Sequence, residues 1–365
     1  SRLNLAALNE NTADDFIKDK MNVSGSELPV LMDSSVSTNN DASPMMLDDT
    51  IKFQSHVSMV NEEEYEEDEE DADEETEEEK KRRQMLDEQE SQMMSCLEYK
   101  DEILAYMRQM ELENRPRANY MKKQQDISGA MRSILVDWLV EVAEEYKLNV
   151  ETLYLAINYT DRFLSQMSVL SGKLQLVGTA SMYIASKYEE ITPPDVSEFA
   201  YITDNTYTKK QVLRMEHLLL KILDFRMNTP TTNNFLNHYL RFIRPLLQQN
   251  ATSAEVRKIE HMARYLAELT LVDADTFLCY LPSQIAASAI YLSLQLHNKQ
   301  WTKPIADTIG YAHDLNELKA CIVDMNKAMQ QAPTASITAI FDKYKQGKYD
   351  SVSLTAPLKS LPFNQ

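Results

Sequence analysis

Met131–Val142 reads MRSILVDWLVEV. Its apolar residues Met131, Ile134, Leu135, Trp138 and Val142 recur at three- and four-residue spacing, the period of a helix face. Arg132, Asp137 and Glu141 interrupt it. The stretch is far too short and too charged to cross a bilayer. Trp138 at its centre is a large ring that is costly to leave in water. Two readings compete. In one, this is a core helix whose polar residues face solvent. In the other, part of the helix is an exposed apolar groove with an acid beside it, a surface suited to gripping short peptides of other proteins. Periodicity does not choose between them.

Around this stretch, 365 residues allow roughly two domains plus tails, and an apolar fraction of 43% supports a real core. The formal charge of −20 comes from 57 acids against 37 Lys and Arg, but it is concentrated. Glu62–Glu79 holds 15 acids and no base, and without them 42 acids face 37 bases, a net of −5. The remainder is only mildly acidic and carries no Lys/Arg-rich stripe, which argues against nucleic acid as the main partner. Cys96, Cys279 and Cys321 are too scattered for a disulfide framework or a paired metal-ligand spacing, which fits a reducing compartment. No apolar segment reaches membrane length, and the N-terminus does not read as a signal peptide. Six glycines in the whole chain argue against glycine-cradled phosphate sites and for many helices.

In chain order, 1–94 reads as a disordered tail: few aromatics, the Ser/Thr/Asn-rich run Ser34–Ser43, then the acidic run 62–79. Lys80–Arg83, KKRR, reads either as a nuclear-import signal or as a charge break before the first helix. From Gln92 the pattern turns helical, with Tyr99, Ile103, Tyr106 and Met110 in one stripe, stopped by Pro116. This leading helix and the irregular connector Asn119–Ile127 make up 95–128. A lone helix of this size is marginal in water and must pack on the following domain or on a partner.

Five helical segments follow in 129–228: about Ser128–Tyr146, Asn149–Phe163, Leu174–Tyr188, the short Asp195–Tyr201, and Thr208–Leu223. The third is rich in Ala, Leu and Ile and is expected to be the enclosed one. Thr229-Pro230 reads as an N-cap with proline at the first helical position. A second group occupies 229–332: Pro230–Arg241, Ser253–Leu271, Pro282–Leu296, the short Pro304–Ile309, and Leu315–Met329. The order of lengths repeats at a period of about 100 residues, and the third member is again the Ala/Ile/Leu-rich one. Each half can enclose its third helix within the other four. The segment 333–365 adds a small helix, Ile337–Tyr344, and an extended end.

Catalytic chemistry is scarce. The six histidines form no helical metal-binding pair, and GxSxG, GxxxxGK[ST] and the HRD/DFG set are all missing. Glu189-Glu190 resembles a carboxylate pair only superficially, since neighbours on a helix point about 100° apart. Ionisable residues within apolar helices say more. Arg132 and Asp161 are candidates to meet as a buried pair, the alternative being that each lies on a solvated edge. Lys187, at the end of the third helix, and Glu216, between Met215 and His217 in the fifth, would mark the register of an apolar interface if both open onto one surface.

MRSILVDWLVEV, ETLYLAINYTDRFL (Glu151–Leu164), GKLQLVGTASMYIASKYEEI (Gly172–Ile191) and YTKKQVLRMEHLLLKIL (Tyr207–Leu223) together resemble the cyclins, and within them the A type. The resemblance is dense from about Tyr99 to Pro357. It implies an all-α fold of two consecutive five-helix boxes with a leading helix, and a regulatory subunit without an active site that binds and activates a cyclin-dependent Ser/Thr kinase. ATP and magnesium then belong to the kinase. By family motif, the kinase-facing residues are Lys187 and Glu216, surrounded by Ile184, Tyr188, Leu220 and Phe225, with Tyr99 and Ile103 on the leading helix. Most cyclins of this type carry Phe where this chain has Tyr188.

The resemblance also implies a docking groove for Arg-x-Leu peptides of substrates and inhibitors, made by Met131, Ile134, Leu135, Trp138, Leu174 and Gln175, with Glu141 and Asp204 as its acids. Arg132 and Asp161 become an architectural pair. Mitotic cyclins are destroyed through an N-terminal Arg-x-x-Leu motif that engages the ubiquitin-ligase machinery. Arg2 and Leu5 fit its first half, while Glu10 stands where the usual Asn would fall. A nuclear location with a cytoplasmic pool follows from the same resemblance, with roles in S phase and entry into mitosis. Two other classes predict different features. A promoter-binding factor of two-box architecture predicts a positive face and a zinc ribbon. A peptide-binding helical scaffold would keep the Trp138 groove without needing Lys187 or Glu216.

Overall fold

A computed structural model of the chain describes residues 97–361. The Arg2/Leu5 motif, the acidic run, Lys80–Arg83 and the start of the leading helix lie outside the described residues, as do 362–365. Residues 101–361 belong to one compact unit, and Leu97–Lys100 belong to a second, in which Leu97–Tyr99 make a 3-10 turn.

The leading helix α1 spans Lys100–Glu113. The first box follows as α2 (Gly129–Glu145), α3 (Val150–Leu164), α4 (Ser171–Glu189), α5 (Val196–Tyr201) and α6 (Lys209–Ile222). Side-chain caps fix their starts: Ser128 accepts from the Met131 amide, Asn149 from Glu151, Asp195 from Ser197, and Thr208 forms a capping box with Gln211. Helix α4 packs against α2, α3, α5 and α6 and is the enclosed member. Small residues let its neighbours approach. A Cβ at Gly178 would stand 2.7 Å from Leu135 Cδ1, so a larger residue there would force the Leu135 side chain to shift in the α2–α4 contact.

The second box comprises α7 (Thr232–Gln248), α8 (Ser253–Leu269), a one-turn α9 (Ala274–Phe277), α10 (Pro282–Leu296), α11 (Lys303–Ile309) and α12 (Lys319–Gln331). Helix α10 packs on α7, α8 and α12 and is buried from Ile285 to Leu294. The chain closes with α13 (Ala339–Lys345) and two 3-10 turns, Gly347–Tyr349 and Val352–Leu354.

Several limits differ from the periodicity. The cap of α7 is Thr231, paired with Asn234, not Thr229, so Pro230 precedes the helix. Helix α7 also continues beyond Arg241 through Pro245 to Gln248, because Ile243 and Leu247 keep its inner face buried. The last long helix begins at Lys319 rather than Leu315, whose φ of +62° is incompatible with a helical start. The connector is not wholly irregular: Tyr120–Lys123 form a 3-10 turn that buries Tyr120. Helix α4 starts one turn early, at Ser171, and α9 was not read from the sequence at all.

The joint between the boxes is polar and buried. Arg132 makes a bidentate pair with Asp161, Nε to Oδ1 and Nη2 to Oδ2 at 2.7 Å each. Its Nη1 donates across the joint to the carbonyls of Leu271 (2.8 Å) and Val272 (3.2 Å). Tyr120 donates to Asp161 at 2.7 Å. Nearby, Glu151 accepts from Thr231 Oγ1 (2.7 Å) and Asn233 Nδ2 (2.9 Å). Helix α1 docks on the second box: Arg108 donates to the Ile309 and Gly310 carbonyls at 3.0 and 3.1 Å, and Glu111 accepts from the amide and hydroxyl of Ser283. Gly310, at φ +76°, ends α11 in the left-handed conformation that this approach uses.

Candidate functional site

Two surfaces of the first box carry the sequence-derived residues. The first lies where α4 and α6 end. Lys187 Nζ pairs with Glu216 Oε1 and sits 4.2 Å over the Tyr183 ring. Helix geometry explains the meeting, since α4 and α6 pack side by side. The Lys187 side chain remains 39% exposed while Glu216 is 13% exposed, so the lysine presents its charge outward from a largely shielded carboxylate. Exposed rings follow each helix in the chain: Tyr188 at the end of α4 and Phe225 just beyond α6, the latter at a φ of +54°. Leu220 is half-buried and Ile103 of α1 is exposed. Tyr99 is also exposed. Ile184, by contrast, is 4% exposed and supports this face from beneath.

Tyr106 belongs to the same face and was assigned only to an apolar stripe by the sequence. It is 51% exposed, and its hydroxyl accepts from Asn228 Nδ2 at 3.4 Å. Burial, then Glu189 and then Tyr106, push the Tyr188 phenol above its ordinary range. The outward rotation of the stripe is set by how α1 docks, and its spacing alone carries no such signal. Exposed apolar side chains on a face that also carries an outward-facing charge are marks of a protein-binding surface. The neighbouring carboxylates have a structural use: Glu190 Oε1 accepts from the Asn149 amide (2.7 Å) and Thr152 Oγ1 (2.5 Å), tying the end of α4 to the start of α3.

The second surface is the outer side of α2. Met131, Ile134, Trp138 and Gln175 are half-buried, and Glu141 and Asp204 are exposed, the latter at φ +52°. Leu135 (1% exposed) and Leu174 (5%) are core residues rather than groove wall, because the close approach of α2 to α4 draws them inward. Asp137, one of the charges that interrupts the stretch, points to the chain end instead. Its Oδ1 accepts from the Ala339 amide at 2.9 Å, and burial pushes its carboxyl up to about 6. Among the described residues no group of three or more His, Cys, Asp or Glu is arranged to hold a metal ion, and no helix is long and apolar enough to cross a membrane.

This fold and these surfaces have known counterparts. Residues 102–228 match the family model "Cyclin, N-terminal domain", and residues 230–358 match "Cyclin, C-terminal domain". The chain belongs to the cyclin family. Within it, similarity runs to the A type: cyclin-A1 of Mus musculus is 53% identical over 273 residues, covering 74% of this chain and 62% of that protein. Cyclin-A2 of Homo sapiens is 51% identical over 276 residues, 75% of this chain and 61% of that protein. The chain thus spans about three fifths of the length of these relatives. A solved viral cyclin from herpesvirus saimiri shares the fold at a TM-score of 0.52 and 18% identity, over 62% of this chain and 97% of that one. The first match runs from Glu102 in α1 through α6, and the second takes in α7–α13.

Proposed function

We propose that this cyclin is a non-catalytic subunit that binds and allosterically activates a cyclin-dependent Ser/Thr kinase, through the face centred on Lys187 and Glu216. The observation that carries the reading is the Lys187–Glu216 ion pair, its lysine exposed over a largely shielded carboxylate, on a scaffold of packed helices that also leaves Tyr188, Phe225 and Ile103 exposed. Leu220 and the underlying Ile184 complete this face, and Tyr99 is assigned to kinase binding by family motif alone. Phosphoryl transfer in a protein kinase requires a Lys–Glu ion pair and a metal-binding Asp to be in place together. A rigid surface that fits only the arranged state shifts the kinase toward it by differential binding. ATP and magnesium belong to the kinase.

The outer side of α2 is the proposed dock for Arg-x-Leu segments of substrates and inhibitors. Met131, Ile134 and Trp138 supply the apolar contact over Leu135 and Leu174, Gln175 offers its amide to the peptide, and Glu141 with Asp204 takes the basic residue. Residues 129–228 and 229–332 are taken as the two boxes, with 1–94 as tail. Control of S phase and mitotic entry, a nuclear location, and turnover by the ubiquitin-ligase machinery through Arg2 and Leu5 belong to the same proposal. Neither nucleic acid nor membrane is a proposed partner.

The test is phosphorylation of a short peptide by a purified monomeric cyclin-dependent kinase, with and without this chain. Stimulation by several orders of magnitude is expected, and its loss in Lys187→Ala/Glu216→Ala with an unchanged melting curve would locate the interface. Trp138→Ala should leave short-peptide phosphorylation intact and slow that of an Arg-x-Leu protein substrate. Tight binding without stimulation would instead make the chain a docking scaffold.

A further inference from the structure

Three Ser/Thr-Pro dipeptides occur in the chain: Ser43-Pro44, Thr192-Pro193 and Thr229-Pro230. Ser43 lies outside the described residues, and the structure separates the other two. Thr229 is 5% exposed, and its Oγ1 accepts from Arg162 Nη1 at 3.3 Å. Thr192 is exposed, in the link between α4 and α5, and follows Ile191, whose side chain stands free in solvent. Among the described residues, 191–194 make no backbone hydrogen bond and the Thr192 hydroxyl has no partner.

A protein kinase takes its acceptor hydroxyl on a strand that has left its own fold. A segment with neither burial nor backbone bonds gives up little on entering such a cleft. Pro193 and Pro194 also hold the residues before them extended, because the proline ring disfavours the helical region for its predecessor. Pro193 carries no N–H. A cleft that lacks an acceptor just after the hydroxyl therefore loses nothing with proline and strands a donor with any other residue. Thr192 meets the demands of a proline-directed Ser/Thr kinase, and Thr229 does not.

We infer that Thr192 is a phosphorylation site for a proline-directed Ser/Thr kinase, and that its phosphate weakens binding at the Lys187–Glu216 face. Thr192 Oγ1 forms the new bond to the γ-phosphorus of ATP while the bond to the bridging oxygen breaks and ADP leaves. The hydroxyl proton passes to the catalytic-loop Asp of the modifying kinase. The product carries a charge of about −1.5 to −2. It lies within three residues of Glu189, Glu190 and Asp195, on the link that leaves the Lys187 end of α4. Acids already crowd this end, since burial and then Glu190 raise the Glu189 carboxyl. Lys187, the one base in 185–200, is engaged by Glu216. A phosphate placed among carboxylates repels, and that repulsion falls on the outward charge pattern of the face. The effect on binding rests on the proposed function; the modification itself does not.

The experiment treats the full folded chain with magnesium, ATP and a purified proline-directed kinase, and locates phosphate by mass spectrometry. Phosphate is expected on Thr192 and not on Thr229, and Thr192→Val should remove it. An unlabelled Thr192, or equal labelling of Thr192 and Thr229, would overturn the site. The phosphorylated chain should then bind a monomeric cyclin-dependent kinase about tenfold more weakly than the untreated chain, with its melting midpoint unchanged. Thr192→Val treated in the same way should keep its affinity, which separates Thr192 from any phosphate on Ser43. Phosphate on Thr192 with unchanged affinity would overturn the effect on the face. An untreated chain that binds no such kinase would sink the proposed function and leave the labelling result standing.

Discussion

Arg132 is 2% exposed, and its charge is tolerable there because Asp161 meets it with both oxygens while two carbonyls of the second box take the remaining donor. Removing one partner of such a pair strands the other. Asp161→Ala should therefore cost about 3–5 kcal/mol in urea unfolding, since Tyr120 loses its acceptor as well. Glu151 behaves differently, because burial outweighs its bonds to Thr231 and Asn233 and lifts its carboxyl from 4.5 to about 7. The folded chain then keeps a proton that the unfolded chain releases from about pH 4.5 upward. The stability this contributes is present below pH 4.5 and is lost as pH rises through 7, by roughly 3 kcal/mol at most. Asp350, held low by Arg257, acts in the opposite direction, so the readout must be a difference. Urea melts of Glu151→Gln and the parent at pH 5 and pH 8 should show the variant gaining relative to the parent as pH rises. A constant gap would show that Glu151 is already ionised in the fold.

At the scale of elements, the terminal helix α13 is fastened from both sides. Lys343 Nζ lies 3.1 and 3.0 Å from the two oxygens of Glu268, Tyr344 donates to Glu268 at 2.6 Å, and Asp137 receives the first amide of the helix. Burial alone would lower the Lys343 ammonium, but Glu268 and Glu144 outweigh it and raise it. Lys343→Met leaves a carboxylate with 1% side-chain exposure without its cation, and a loss of about 3–5 kcal/mol is expected by chemical denaturation. Amide exchange in 339–345 should accelerate by more than that in α4, because α13 is the element directly released. Helix α2 shows how one element serves several masters: Arg132 holds the joint, Asp137 holds α13, Leu135 fills the core against Gly178, and Trp138 stays at the surface.

Over the whole molecule, the boxes are coupled by groups that neither could satisfy alone. Arg132 needs the Leu271 and Val272 carbonyls, and Glu151 needs Thr231 and Asn233. The two tryptophans report one box each, Trp138 on α2 and Trp301 against Tyr291 in the second box. Single-tryptophan variants, Trp301→Phe and Trp138→Phe, should therefore unfold with coincident midpoints and slopes once each is corrected for its own stability. Separated transitions would mean that the joint contributes little and the boxes fold independently.

Local chemistry made much of this chain readable without coordinates. The two Ala-rich third helices announced themselves as the enclosed ones, since a helix apolar nearly all round has no solvent face, and Pro282–Leu296 was delimited to the residue. The segments read from Asn149, Asp195 and Thr208 begin one residue later, and those three residues cap them, each oxygen acting on an amide two or three residues away. Arg132 and Asp161 could be named as partners, since two charges in apolar helices each need one. The carbonyls of Leu271 and Val272, about 140 residues from Arg132, could not be named, because a backbone acceptor leaves no mark in sequence. The same holds for the choice of Thr231 over Thr229, the inward turn of Leu135 and the outward turn of Tyr106. Each depends on how far and at what angle one helix lies on another. The sequence by itself determined which long segments are helices, which of them are enclosed and how they repeat. The tertiary structure decided which side of each helix meets a neighbour, because that choice is a sum over packing contacts distant in the chain.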